Sequence, residues 1–222
     1  MKLLLTSAGI SNPTIHQALV DLLGKPVAES TALFIPTAIY GIVNGGDIVR
    51  GVINGTLGDP FCGMGWKALG LLELTALPSI KKELWISKLR DTDTLLVGGG
   101  DCQYLTYWMH QSGLAEILPS VLEKTVYVGL SAGSMIMTRF GTTYGNHTLP
   151  ADTPKCLGWL DFAIHPHLDY PAFPENSMEN LERLASTLTV ESYAIDDQTA
   201  IRVVDGRVEV VSEGKWKLLN DK

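Results

Sequence analysis

Residues 126–134 read Val-Tyr-Val-Gly-Leu-Ser-Ala-Gly-Ser, an apolar run that ends in small residues. The apolar part predicts a buried strand, and residues 134–139 have helical character, so the small residues join a strand to a helix. In this setting the G-x-S-x-G sequence is typical of a nucleophile elbow, a sharp turn that exposes a serine hydroxyl above the sheet. The pattern predicts Ser131 as a nucleophile, with the amide of Ala132 near the developing oxyanion. A glycine-rich turn with an inert serine is the alternative.

Apolar, β-rich runs alternate with segments of helical period on both sides of this turn, which is typical of a mainly parallel sheet covered by helices. The predicted strands are residues 3–7, 32–35, 71–77, 94–97, 126–130 and 162–164. The predicted helices are residues 13–23, 80–89, 103–124 with an interruption at Gly113, 134–139 and 175–188. The glycine-rich segment 41–58 has no predicted structure.

The C-terminal part of the chain has an antiparallel pattern. Residues 200–204 and 207–211 flank Asp205-Gly206, a two-residue sequence that favours a β-hairpin turn, and residues 215–219 predict a further strand. We therefore expect one three-layer α/β domain over residues 1–222, with a mainly parallel sheet and a C-terminal antiparallel hairpin.

The composition restricts the class of protein. The chain has 222 residues, of which 45% are hydrophobic and 18% charged, so it has enough apolar surface for one globular core and lacks the signature of disorder. Its net charge of −7 argues against nucleic acid and membrane surfaces as partners. We see no signal peptide and no membrane-spanning run, and we expect a soluble, cytoplasmic protein. Three cysteines without a CxxC pair predict reduced thiols.

A second glycine-rich turn, Gly98-Gly99-Gly100-Asp101, directly follows the strand predicted at 94–97. It brings bare backbone amides to the carboxyl edge of the sheet, where α/β proteins usually bind ligands. The triplet is either a second oxyanion donor beside Ser131 or a tight turn without chemistry. No phosphate-binding glycine motif is present.

A catalytic serine needs a base, normally a histidine. His165 and His167 follow a short predicted strand that ends on the same edge of the sheet as Ser131. Pro166 holds the segment extended, so the two imidazoles share a face. We expect one to be the base and the other to support it or contact substrate. A His-x-His zinc pair is the alternative, but the sequence offers no clear third ligand, and we expect neither metal nor cofactor.

These features together resemble the peptidase E family, which includes the alpha-aspartyl dipeptidases and the cyanophycinases, serine hydrolases on a class I glutamine amidotransferase-like fold. The resemblance runs over most of the chain and is carried by residues 3–7, 34–38, 71–74, 98–100, 129–133 and 166–167. It implies that Ser131 is the nucleophile, that His167 is the general base, and that the amides of Ala132 and of Gly99 or Gly100 form the oxyanion hole. Asp101 stands where the family commonly has Asn, beside that hole.

Three residues are candidates for orienting His167. The stretch Ile-Asp-Asp-Gln-Thr-Ala at 195–200 is similar to the Ile-Asp-Glu-x-Thr-Ala of the cyanophycinases, which points to Asp197. Some relatives use an acid between the serine and the histidine, and Asp152 is the nearest acid there. Asn146 is the third candidate, because an amide orients the imidazole in Cys-His-Asn enzymes.

The resemblance also bears on specificity. Aspartyl dipeptidases of this family carry an Arg in the helix after the histidine that binds the substrate aspartate, but residues 176–180 contain none, and Arg183 is the nearest cation. We therefore expect poor cleavage of alpha-aspartyl dipeptides.

The resulting hypothesis is a serine hydrolase that cleaves short or modified peptides through an acyl-enzyme on Ser131. The sequence leaves a homodimer open. Two alternatives remain: a small esterase of the α/β-hydrolase kind, and a catalytically silent amidotransferase-like binding module. The esterase fits less well, because its base histidine normally lies near the chain end, whereas 55 residues follow His167.

Overall fold

The structure is a computed structural model that describes residues 1–57 and 61–220. Gly58, in the segment without a predicted structure, and residues 221–222, at the end of the expected domain, lie outside the described residues. The described residues form ten strands, in chain order β1 (Lys2–Thr6), β2 (Thr31–Ile35), β3 (Ala68–Leu71), β4 (Thr94–Val97), β5 (Val126–Leu130), β6 (Ala163–His165), β7 (Ser192–Ile195), β8 (Thr199–Val204), β9 (Arg207–Ser212) and β10 (Trp216–Leu219).

Seven of these strands form the main sheet, in the order β3-β2-β4-β5-β1-β8-β9. The five strands from β3 to β1 are parallel, and β8 and β9 continue the sheet as an antiparallel hairpin. Asp205 and Gly206 both have positive φ in the turn between them, as a two-residue hairpin turn of this kind requires. The predicted mainly parallel sheet with a C-terminal antiparallel hairpin is confirmed.

Helices cover both faces of this sheet and produce the three expected layers. The α-helices are α1 (Pro13–Leu23), α2 (Thr37–Tyr40), α3 (Gly45–Ile53), α4 (Lys82–Arg90), α5 (Cys102–Gln111), α6 (Leu114–Val121), α7 (Ala132–Met135) and α8 (Met178–Ala185). Alternation along β1 shows the two faces: Leu4 packs into the core with α1 and α3, whereas Leu3 and Leu5 pack into the core with α4 to α7. Among the described residues, no helix is long and apolar enough to span a bilayer.

Residues 71–77, 41–58 and 134–139 differ from the sequence prediction, the last because α7 ends at Met135. The strand predicted at 71–77 is wrong beyond Leu71, because residues 74–79 form a 3₁₀ helix. Its first turn is fixed by side chains: the hydroxyl of Thr37 accepts the amide of Leu74 at 3.2 Å, and Glu73 accepts the amide of Thr75 at 3.2 Å. The segment 41–58, for which the sequence predicted no structure, contains α3. The glycines of α3 lower its helix propensity, so the sequence pattern did not predict this helix.

A second, smaller sheet has the order β10-β7-β6. The strand predicted at 215–219 is present as β10, but it pairs antiparallel with β7 instead of extending the hairpin. The pattern missed β7, a fully buried strand of four residues, which also pairs in parallel with β6. This small sheet matters for the site, because β6 and β7 lead into the two segments that face Ser131.

Candidate active site

Ser131 lies directly after β5 on a strained turn. Its backbone has φ 48° and ψ −108°, which is unusual for a residue with a side chain. The flanking glycines are required by close packing: a Cβ at Gly133 would lie 2.2 Å from the carbonyl oxygen of Val97, and one at Gly129 would lie 2.6 Å from the backbone of Gly133. The G-x-S-x-G pattern is therefore explained by the backbone crowding of a sharp strand-to-helix turn.

Ser131, His167 and Asp197 form a hydrogen-bonded chain. The distance from Ser131 Oγ to His167 Nε2 is 3.0 Å, and that from His167 Nδ1 to Asp197 Oδ1 is 2.7 Å. An ionised carboxylate can only accept, so Nδ1 carries the proton and, in the neutral ring, Nε2 accepts from the serine hydroxyl. This arrangement leaves Nε2 able to take the proton of Ser131.

Ser7 forms hydrogen bonds with both His167 and Asp197. Its hydroxyl donates to Asp197 Oδ1 at 2.8 Å and accepts the backbone amide of His167 at 2.8 Å. Sequence reasoning missed Ser7, although its position directly after β1, at the same sheet edge as Ser131, was a signal that could have found it.

The carboxyl of Asp197 is ionised in this environment. Partial burial alone would raise its pKa, but the hydrogen bond and charge of His167 and the hydrogen bond from Ser7 outweigh burial and lower the pKa of Asp197. A negative charge therefore lies behind the imidazole, where it would stabilise an imidazolium.

The glycine turn after β4 lies beside Ser131. A Cβ at Gly99 would approach Ser131 Cβ to 3.3 Å, and one at Gly100, where φ is 129°, would lie 2.2 Å from the carbonyl oxygen of Ala38. Hydrogen bonds hold the turn at both ends, from the Gly98 amide to Ile35 at 3.0 Å and from the Asp101 amide to Ala38 at 3.0 Å. Between these bonds, the amides of Gly99 and Gly100 have no hydrogen-bond partner within the described ranges.

Asp101 is not open to the site. Its side chain is completely buried and caps α5 by accepting the amide of Tyr104 at 2.8 Å. It also accepts the Thr143 hydroxyl at 2.9 Å and the Tyr144 amide at 2.7 Å, and it lies 3.0 Å from His147 Nε2. Burial would raise the pKa of Asp101, but these hydrogen bonds lower it. The sequence predicted that this charge lies beside the oxyanion hole. In the structure, Asp101 instead anchors the loop after Gly141 through its hydrogen bonds.

His165 lies behind the site. Only 2% of the residue is exposed, its ring packs on Phe140 at a centroid distance of 4.9 Å, and its Nε2 has no partner in the described structure. Burial lowers the pKa of His165 to about 4. The imidazole is therefore neutral near pH 7, and within the described structure it makes no hydrogen bond to Ser131, unlike the imidazole of His167.

The two other candidates for orienting His167 are not brought to it. Asp152 is exposed and lines a separate cavity with His110. Asn146 lines the same cavity as Ser131 and His167 but makes no hydrogen bond to the imidazole in the described structure.

Ser131 and His167 line two cavities among the described residues. The larger has a volume of about 510 Å³, and the smaller, which His165 also lines, about 290 Å³. Across residues 1–57 and 61–220, no group of three or more His, Cys, Asp and Glu side chains is arranged to hold a metal ion. Cys102 and Cys156 are free thiols.

Comparison with known proteins gives matches over most of the chain. The model of peptidase family S51 matches residues 3–211. Peptidase E of Shewanella denitrificans is 27% identical over 208 residues, covering 90% of this chain and 82% of that protein. Peptidase E of Shewanella amazonensis is 30% identical over 138 residues, covering 60% of this chain but only 57% of that protein.

Solved structures match the fold. A Listeria monocytogenes protein assigned provisionally to peptidase E superposes with a TM-score of 0.67 at 20% identity, covering 96% of this chain and 98% of that chain. A peptidase from an acI-B1 actinobacterium gives a TM-score of 0.66 at 19% identity, covering 98% of this chain and 90% of that chain.

Proposed function

This chain belongs to peptidase family S51, and we propose that it is a serine-type peptidase that cleaves short peptides through an acyl-enzyme on Ser131, with His167 as general base. The observation that carries this proposal is the 3.0 Å distance between Ser131 Oγ and His167 Nε2, continued at 2.7 Å to Asp197. A nucleophile, a base and an acidic orienter in this geometry are what acyl transfer requires.

In the first half of the reaction, His167 Nε2 takes the proton of Ser131 as Oγ attacks the substrate carbonyl carbon. The carbonyl electron pair moves onto oxygen, and the amides of Ala132 and of Gly99 or Gly100 stabilise that charge. Asp197 holds the Nδ1 proton and stabilises the imidazolium. When the tetrahedral intermediate collapses, Nε2 gives its proton to the leaving amine, and the acyl group stays on Ser131.

In the second half, water replaces the amine. His167 Nε2 takes a proton from the water, whose oxygen attacks the acyl carbon, and the same oxyanion donors stabilise the second intermediate. Collapse releases the carboxylic acid, and Nε2 returns a proton to Ser131 Oγ. The residues named here handle every proton and electron pair, so this mechanism needs no cofactor.

Chain order separates this proposal from the esterase alternative. In α/β-hydrolases the acid precedes the histidine along the chain, giving the order serine, acid, histidine. Here Asp197 follows His167. The silent-module alternative is disfavoured for another reason, since Ser7 and Asp197 both support His167 in an orientation that an inert domain would not need.

The test is to trap the acyl-enzyme. Wild-type protein is mixed with a pool of short peptides and quenched in acid, and the fragment containing Ser131 is weighed by mass spectrometry. We expect an acyl adduct and cleaved products, both lost by at least about 10⁴-fold in Ser131→Ala. Ser120→Ala, which changes an exposed serine on α6, is the matched control and should behave as wild type. Cleavage that persists in Ser131→Ala would overturn the proposal.

A further inference from the structure

The lining of the larger cavity beside Ser131 indicates which kind of substrate side chain it binds. We propose that it is a specificity pocket for a large apolar side chain, such as Phe, Leu or Met, on the residue that donates the scissile carbonyl. This assignment rests on the proposed peptidase function and adds the substrate class to it. The volume of about 510 Å³ lies within the range of roughly 300–1,000 Å³ that is common for ligand pockets.

The lining of the cavity is mainly apolar. Large hydrophobic side chains from β2, α2, α3 and the segments beside them contribute, among them Phe34, Ile39, Ile42, Ile48, Val52 and Phe61. The rings of Phe34 and Phe61 meet edge to face, with centroids 6.3 Å apart. Such a surface favours an apolar side chain, because burial removes apolar area of both partners from water.

A charged substrate side chain finds no carboxylate, ammonium or guanidinium partner among the described residues that line this cavity. Among the described residues that line it, none is Asp, Glu, Lys or Arg. The smaller cavity has no Lys or Arg lining it in the described ranges either, and its acidic group is Glu175. The Arg183 guanidinium donates to Asn180 and lines neither cavity. A buried aspartate side chain would therefore lose its hydration without gaining a cation.

The positions of the oxyanion donors and the base assign the two cavities to the two sides of the scissile bond. The turn at 98–100 lines the larger cavity and is absent from the lining of the smaller one. The carbonyl oxygen has to approach this turn, so the residue that owns the carbonyl lies on the side of the larger cavity. The leaving amine has to face His167, and the smaller cavity extends from His167 past Pro166 and His165.

The direct test is a panel of dipeptides. In the series X-Ala, X is Phe, Leu, Met, Ala, Asp or Lys, and the series Ala-X is the positional control. We expect kcat/KM for Phe, Leu and Met to exceed that for Ala by about 10- to 100-fold in X-Ala, with Asp and Lys below Ala. In Ala-X we expect a weaker dependence. Equal rates across X-Ala, a preference for Asp, or an apolar preference confined to Ala-X would overturn the assignment.

A pair of variants on α3 tests the cavity itself. Ile48 lines the cavity, whereas Ile53 on the same helix is 44% exposed and does not. Ile48→Arg should lower kcat/KM for Phe-Ala by at least about 10-fold and raise the ratio of Asp-Ala to Phe-Ala cleavage, while Ile53→Arg should leave both unchanged. An unchanged profile in folded Ile48→Arg would contradict the assignment. If that variant does not fold, the wild-type panel still decides.

Failure of this inference differs from failure of the proposed function. An enzyme that acylates Ser131 and cleaves peptides, but without an apolar preference in X-Ala, contradicts only the pocket assignment. A protein that neither acylates Ser131 nor cleaves any peptide of the panel overturns both.

Discussion

His167 Nδ1 lies 2.7 Å from Asp197 Oδ1, although the two residues are 30 positions apart in the chain. The small sheet explains this proximity. His167 comes two residues after the end of β6, and Asp197 two residues after the end of β7, and these strands are parallel neighbours. The amide of Leu168 extends the pairing by donating to Ile195 at 3.0 Å. His167 and Asp197 are thus positioned by one sheet, and Ser131 by the other.

Asp197→Asn should lower kcat by about 10³- to 10⁴-fold with little change in KM. An amide presents a donor as well as an acceptor, so it no longer fixes the tautomer that leaves Nε2 free to accept. The measurement is steady-state kinetics on a cleavable peptide, with thermal unfolding to confirm the fold. Asp152→Asn, an exposed carboxyl in another cavity, is the matched control and should keep wild-type kcat. If Asp197→Asn retains full activity, Asp197 is not the orienter.

Ser7→Ala should reduce kcat by roughly 10-fold and leave KM nearly constant. The substitution removes a donor to Asp197 and leaves the backbone amide of His167 without its acceptor, which costs about 1–3 kcal/mol of stability. The kinetic loss comes from a less well positioned imidazole, so it should persist at temperatures where the variant is fully folded. Urea unfolding and kinetics on the same sample check both effects. Wild-type kcat with the expected loss of stability would show that Ser7 is purely structural.

The sequence predicted most of the main sheet, because strands such as β2 and β4 are apolar runs closed by proline or glycine, whereas the strand predicted at 71–77 shares only Leu71 with β3. The elbow at Ser131 was predictable because only small residues fit the crowded turn beside it. The small sheet was harder: β7 has four residues, and whether β10 pairs with it or with the hairpin depends on tertiary packing. Ser7 was not predicted, because a single serine after a strand forms no sequence motif. Its partners His167 and Asp197 lie 160 and 190 positions away in the chain.

His165 should make the protein less stable in mild acid. The folded protein keeps this buried imidazole neutral because its pKa is lowered to about 4, whereas the unfolded chain binds the proton at about pH 6.5. The stabilisation that comes from keeping His165 neutral is therefore fully present above pH 6.5 and is lost as the pH falls from 6.5 to 4. The free energy of unfolding falls by about 3 kcal/mol in total over this range.

His165→Phe should remove this dependence. The ring keeps the packing against Phe140, and no partner of the buried Nε2 is lost within the described structure. The measurement is the free energy of unfolding in urea from pH 7.5 to 4.5 for both proteins. All other titratable groups, including Glu175 and His167 around the same cavity, are shared by the two proteins, so the difference in slope isolates His165. Parallel pH curves would contradict the prediction.

The rate at which a fluorophosphonate labels Ser131 tests the central claim most directly, because the reagent reacts with a serine that an adjacent base has activated. We predict rapid, stoichiometric labelling of wild-type protein at Ser131, no labelling at this position in Ser131→Ala, and a rate lower by orders of magnitude in His167→Ala. His110→Ala, at an exposed histidine of α5, should label at the wild-type rate. Labelling of wild-type protein no faster than that of Ser131→Ala would contradict the account.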